Sequence, residues 1–350
     1  MKRKFDARPW LVLILIVALI LLGWYAGQTF SPKQAAEATA TEQPIVTIPL
    51  TGPLADRNAE VSGMAWYGDT LILMPQYPNF SSEYKGDGFL YALSKADIVT
   101  FLDGKNSEPL SPRAIPLNDA ALVETIKDYQ GFEAIVFSRD RIFLTIEAGE
   151  GTNMSGYLVS GKIESDLSAV TLDIDSMVEI PLQDQQDNKS DEAMLIVDNR
   201  ILTFYEVNGA GLVPVHVANV FDFDLNFVET ISFPTIEYRV TDAASSADGT
   251  AFWVINYFFP GDEDLKPASD PLAETFGLGP THSQSETVER LVEMRYSEGG
   301  ITLTDTPPVL LTLIPEDSRN WEGLALLDGR GFLMATDKFP ETILAFVAMP

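Results

Sequence analysis

The residues of this chain best placed to do chemistry are carboxylates, and five short segments hold them in register. SGMAWYGDTLILMPQ from Ser62, EAIVFSRDRIFLTIE from Glu133, EAMLIVDNRILTFYE from Glu192, DAASSADGTAFWVIN from Asp242 and EGLALLDGRGFLMAT from Glu322 superpose without a gap. Each opens on an oxygen-bearing side chain followed by Gly or Ala, then an apolar run, a turn pair and a second apolar run. The second run closes fourteen residues on, at Gln76, Glu147, Glu206, Asn256 and Thr336, with Asp337 beside the last. If the opening residues converge, four carboxylates and a hydroxyl share one small volume and repel one another. Protonation and hydrogen bonds to backbone amides relieve that repulsion in one way, a bound cation in another. An all-oxygen set without Cys or His selects a hard ion, and Ca2+ tolerates irregular cages better than Mg2+. Ser62, Glu133, Glu192, Asp242 and Glu322 are therefore the candidate metal ligands. Glu147 and Glu206, in the wider ring, are the candidate general bases, free to face a substrate while the inner ring holds the ion.

The elements that must position these residues are hairpins. The turn pairs Gly68-Asp69, Arg139-Asp140, Asp198-Asn199, Asp248-Gly249 and Asp328-Gly329 are tight-turn chemistry, and each joins two apolar runs too short to cross a membrane. Outer strands follow as RAIPL (113–117), VEIPL (178–182), VETISFP (228–234) and VLLTLIP (309–315). The last repeat ends one strand short, and PIVTIPL (44–50) near the N-terminus has the same character, so it is expected to supply that strand and close a ring. The expectation is an all-β, five-bladed β-propeller over residues 44–350, with a sixth blade if the stretch 257–320 conceals a degenerate one. Residues 260–286, turn-rich and without strand pattern, read as an insertion in the fourth blade.

A formal net charge of −28 argues against nucleic acid, whose binding rests on Lys and Arg neutralising phosphates, and against a polybasic membrane patch. With no cysteine, disulfides, thiolate metal sites and cysteine nucleophiles are excluded. No GxSxG, Walker A or HExxH pattern occurs. Of the two histidines, His216 is expected as an ordinary strand residue and His282 as a solvated loop residue in the insertion. FDFDLNF (221–227) lacks the Gly and distal Glu of a calcium loop and reads as the polar edge of an outer hairpin. Arg239, Arg319 and Lys338 lie near repeat boundaries, where they could meet an anionic substrate but by default pair with carboxylates.

At the N-terminus, Lys2, Arg3, Lys4 and Arg8 in segment 1–9 precede an uncharged apolar run, read as a transmembrane signal-anchor over 10–28 and followed by a polar tether over 29–43. This predicts a single-pass cell-membrane protein, N-terminus inside and a monomeric propeller outside the cytoplasm, with a cleaved signal peptide as the alternative.

Two resemblances add to this. NWEGLALLDGRGFLMATDKFPETILAFV (320–347), with VSGMAW (61–66) and YQGFEAIVF (129–137), resembles the repeats of the phytase-like, or esterase-like, propeller family. The order Ser62, Glu133, Glu192, Asp242, Glu322 also resembles the blade starts of the calcium-activated nucleotidases (apyrases), departing at Asp242, where that family has Ser. These resemblances imply a Ca2+-dependent hydrolase of small anionic or ester substrates, phosphoesters included. The alternative is a non-catalytic ligand- or protein-binding propeller with a structural cation.

Overall fold

The computed structural model describes residues 39–82, 86–246, 249, 251–315 and 317–350. The transmembrane reading over 10–28 therefore lies outside the described residues, among which no helix is long and apolar enough to cross a membrane.

All five repeats fold as antiparallel hairpins. Their first strands are Val61–Tyr67, Tyr129–Ser138, Asp191–Val197, Ile236–Ser245 and Trp321–Leu327. Their second strands are Thr70–Pro75, Arg141–Glu150, Arg200–Tyr205, Ala251–Phe258 and Gly331–Thr336. Turn chemistry explains the reversal: Asp198 and Asn199 both take positive φ, 50° and 60°, as a two-residue turn matched to the strand twist requires. Each first strand packs against the next, and the last against the first, in a closed cycle. The result is an all-β, propeller-like fold.

Further strands extend the hairpins outward. The first two units join at their outer edges, where Val170 and Thr171 pair in parallel with Leu117 and Asn118. This makes one eight-stranded sheet whose first and last strands touch, so that it is nearly closed. The third unit ends in the hairpin Val217–Phe221 and Phe227–Ser232, in which Asp222 accepts hydrogen bonds from the amides of Asp224 and Asn226, so FDFDLNF is the polar turn expected. Stretch 257–320 supplies the outer strands of the fourth unit, with Val288–Ser297 pairing with both Gly300–Leu303 and Val309–Leu311. In the final unit Ile45–Ile48 pairs antiparallel with Leu344–Ala348, so the N-terminal strand fills the missing outer position.

The core is layered between these units. One buried cluster combines Ile72 and Leu90 with Ile135 and Leu144; another combines Leu71 and Leu73 with Leu327 and Leu333, across the junction of the first and last units. Three more fill the remaining junctions. Strands apolar on both faces are what such stacking demands, because each sheet is covered twice. The Gly after two of the opening residues, Ser62 and Glu322, has a steric cause. A Cβ on Gly63 would lie 3.1 Å from the Glu133 carbonyl oxygen, and one on Gly323 would lie 2.9 Å from Met64 Cγ.

The insertion 260–286 carries a short helix, Pro271–Phe276, whose first amides are capped by Asp270. The expectation of a solvated His282 is corrected. The residue is 3% exposed, with Nδ1 2.9 Å from Glu42 Oε1 and Nε2 accepting the Glu289 amide at 3.3 Å.

Candidate active site at the axial cavity

The opening residue of every repeat sits at a β-bulge. Pairing passes from Asp191–Tyr205 to Ala193–Phe204, leaving Glu192 without a cross-strand partner, and from Trp321–Thr336 to Gly323–Ala335, leaving Glu322 likewise. The same irregularity falls at Ser62, Glu133 and Asp242. A bulge re-aims its extra residue, and here it turns each opening side chain away from the sandwiched faces of its sheet.

The ring then divides by partner. Ser62 Oγ donates to the Phe132 carbonyl at 2.6 Å, and Asp242 accepts from the Ala243 amide at 2.7 Å and the Leu324 amide at 2.6 Å. Both are buried and tie neighbouring inner strands together through backbone groups, which engages the oxygens expected to ligate metal. Burial drives the Asp242 carboxyl well above its ordinary range, opposed by those amide bonds. Glu133, Glu192 and Glu322 instead line a cavity of about 860 Å³, joined by Gln76, Glu147 and Asp337 from the returning strands.

Of the second ring, only part reaches this cavity. Glu206 is fully buried, held by Arg239 Nη1 at 2.6 Å and Lys189 Nζ at 3.6 Å, so it is a weaker candidate base than Glu147. Asn256 donates to the Glu237 and Arg239 carbonyls and accepts Arg290 Nε at 2.7 Å, committing both of its N–H donors and its side-chain oxygen to the scaffold. The other cations are paired as well: Arg319 with Glu289, and Lys338 with Glu60. His216 is half-buried, near the Gly209 carbonyl and Thr235.

Burial and mutual repulsion push Glu133, Glu147, Glu192 and Glu322 toward the neutral form. Burial, then the charge of Glu206, pushes Glu147 up to about 7. Burial, then Glu147 and Glu192, holds Glu133 well above the usual carboxylate range; burial, then Glu206 and Glu322, does the same for Glu192. Glu322 is raised by burial, then by Asp337 and Glu133. Two buried oxygens, Glu147 Oε2 and Glu192 Oε2, have no hydrogen-bond partner. Among the described residues no three His, Asp or Glu side chains are gathered closely enough to hold an ion as they stand. The donor chemistry of Glu133, Glu192 and Glu322, oxygen alone, is that of a hard divalent cation.

These raised values have a sign. Below the unfolded value of 4.5, Glu147 is protonated in both states; as pH rises to about 7, only the unfolded chain ionises freely, and stability is lost. The metal-free protein is expected to melt at a higher temperature near pH 5 than near pH 8, checked by thermal melts in chelator at both pH values.

No family model matches the chain, and no curated protein matches it. Among solved structures it is similar to a GH43_1 enzyme from Xanthomonas citri, at 8% identity over 85% of this chain and 90% of that one, with a TM-score of 0.48. It is similar to the catalytic domain of a GH62 alpha-L-arabinofuranosidase from Coprinopsis cinerea, at 7% identity over 89% and 98%, TM-score 0.48. It is also similar to an alpha-L-arabinanase from Cellvibrio cellulosa, at 11% identity over 83% and 91%, TM-score 0.41. With TM-scores below 0.5, these likenesses carry no argument about activity. The propeller-like fold rests on the chain's own strand topology and closed cycle of inner strands.

Proposed function

We propose that the chain is a membrane-anchored, extracytoplasmic five-bladed propeller whose axial cavity binds Ca2+ and hydrolyses an ester or phosphoester. The observation that carries this is the gathering of Glu133, Glu147, Glu192, Glu322 and Asp337 in one cavity, two of their buried oxygens unpartnered. Glu133, Glu192 and Glu322, delivered by the bulges, would hold the ion. Such a cation supplies charge stabilisation to a polarised ester or phosphoryl oxygen. Glu147 has the role of proton acceptor, because a value of about 7 lets it take and return a proton near neutrality. The motifs of 61–66, 129–137 and 320–347 support a phytase-like ancestry, and the apolar run 10–28 supports the anchor.

A second reading, a non-catalytic binding propeller with a structural cation, is favoured by the capture of Glu206 between Arg239 and Lys189, which takes one of the two candidate bases out of proton transfer. One experiment separates the two. The full-length protein is melted with chelator and with Ca2+ or Mg2+, then screened against phosphoester and carboxylester substrates. Ca2+ at a hundredfold excess over its Kd is expected to stabilise the fold by about 2.7 kcal/mol. Stabilisation with turnover supports hydrolysis, and stabilisation without turnover supports the binding propeller. An unchanged melt would remove the cation and with it the proposed mechanism.

A further inference from the structure

A bare metal ion accounts for the carboxylate floor of the cavity but leaves its mouth unexplained. Tyr77, Tyr257, Phe259 and Phe339 line the same cavity. Phe259 and Phe339 stand 46% and 52% exposed, where an apolar ring gains nothing from the core. Phe259 is nonetheless held in place. Its carbonyl accepts the Asp262 amide in a turn, and its ring lies so close to the Gly261 backbone that a Cβ there would come within 2.2 Å of it. Phe339 already presents one ring face to a cation, with the Arg57 guanidinium 5.0 Å from its centroid.

The charge of the wall narrows the ligand. Eight carboxylates line the cavity against two cations, Arg239 and Lys338. Both cations are already paired, Arg239 with Glu206 and Asp262, and Lys338 with Glu60. The remaining wall is carboxylates, which a bound cation draws toward their ionised form and which neither an anion nor a neutral ligand stabilises in that form. An organic cation uses both parts, its charge drawn to the floor and its alkyl surface resting on ring faces, where cation–π attraction adds to burial.

We propose that the cavity mouth is a subsite for an alkylammonium group, formed by Phe259 and Phe339 at the rim of the acidic cavity. It shares the cavity of the proposed hydrolase and deepens that reading, making the substrate an ester that carries a quaternary or primary ammonium. Because the subsite is made of rings and the metal site of oxygens, the two can be tested apart.

The test is calorimetric titration of the full-length protein with choline and with 3,3-dimethylbutanol, its uncharged isostere, and separately with Ca2+. Choline is expected to bind about tenfold more tightly than the alcohol. Phe259→Ala and Phe339→Ala are each expected to weaken choline by about tenfold while leaving Ca2+ affinity and melting temperature unchanged. Equal affinity for choline and the alcohol overturns the subsite, as do alanine variants that bind choline as the parent does. Binding of a neutral hexose that depends on both phenylalanines, with choline silent, would reassign the mouth to polyols. Choline binding without Ca2+ binding leaves the subsite standing and removes the metal; the reverse removes the subsite alone.

Discussion

Glu147→Gln is expected to lower turnover by about 10²–10⁴-fold while leaving the fold at least as stable as the parent. The substitution preserves the shape of the protonated acid and removes only its ability to accept a proton. Near neutrality the parent carries a partly ionised carboxylate, raised to about 7 by burial and by the neighbouring charge of Glu206. Gln relieves that repulsion, so the melting temperature at pH 8 should hold or rise, and the loss of stability between pH 5 and pH 8 should shrink. The measurements are kcat on whichever ester the substrate screen identifies and thermal melts at both pH values. A variant that keeps full turnover would exclude Glu147 as the proton acceptor. One that loses activity only in proportion to a lowered melting temperature would make its role structural.

Arg239→Ala is expected to destabilise the protein by about 3–5 kcal/mol, the usual cost of leaving a buried charge without its partner. Glu206 is fully buried and would retain only Lys189, 3.6 Å away, while Asp262 would lose the Nε hydrogen bond it now accepts at 2.8 Å. Denaturant titration of the variant reads the loss directly. Adding Glu206→Gln should recover much of it, because the pair is costly chiefly when broken from one side. Equal stability of the parent and Arg239→Ala would show that the ion pair does no more than fill space.

The sequence and the structure agree where local chemistry decides the outcome. Turn pairs such as Asp198-Asn199 adopt the backbone they encode, and the apolar runs flanking them are buried on both faces as their composition requires. PIVTIPL reads as an outer strand because it repeats the pattern of VEIPL, and it pairs where the last unit lacks one. The site was less legible. Spacing places Glu147, Glu206 and Asn256 in one ring, yet Arg239 and Arg290 claim the last two through contacts that no local pattern records. Ser62 and Asp242 share the opening position with Glu133, but their short side chains reach backbone groups of the next strand before they reach the cavity. The bulge left one trace, the Gly or Ala after each opening residue, which was visible in the alignment without its meaning. His282 reads as a solvated loop residue because its partner, Glu42, is 240 residues away.

That last contact has a mechanical side. Glu42 accepts from the Thr281 and His282 amides and the Thr281 hydroxyl and lies against the His282 ring, and Glu42–Gln43 pairs in parallel with the outer strand Val309–Leu311 of the fourth unit. Two residues later the same chain joins the fifth unit through Ile45–Ile48. The entering segment thus bridges two neighbouring units, like a stitch laid across a seam. A pull applied at residue 39 would load the amides of Thr39 and Ala40 against the Leu278 carbonyl and then the Glu42 anchor, before the edge strand could peel from Leu344–Ala348. Tension arriving from that end would spread across two sheets, and the ring would resist being opened one strand at a time.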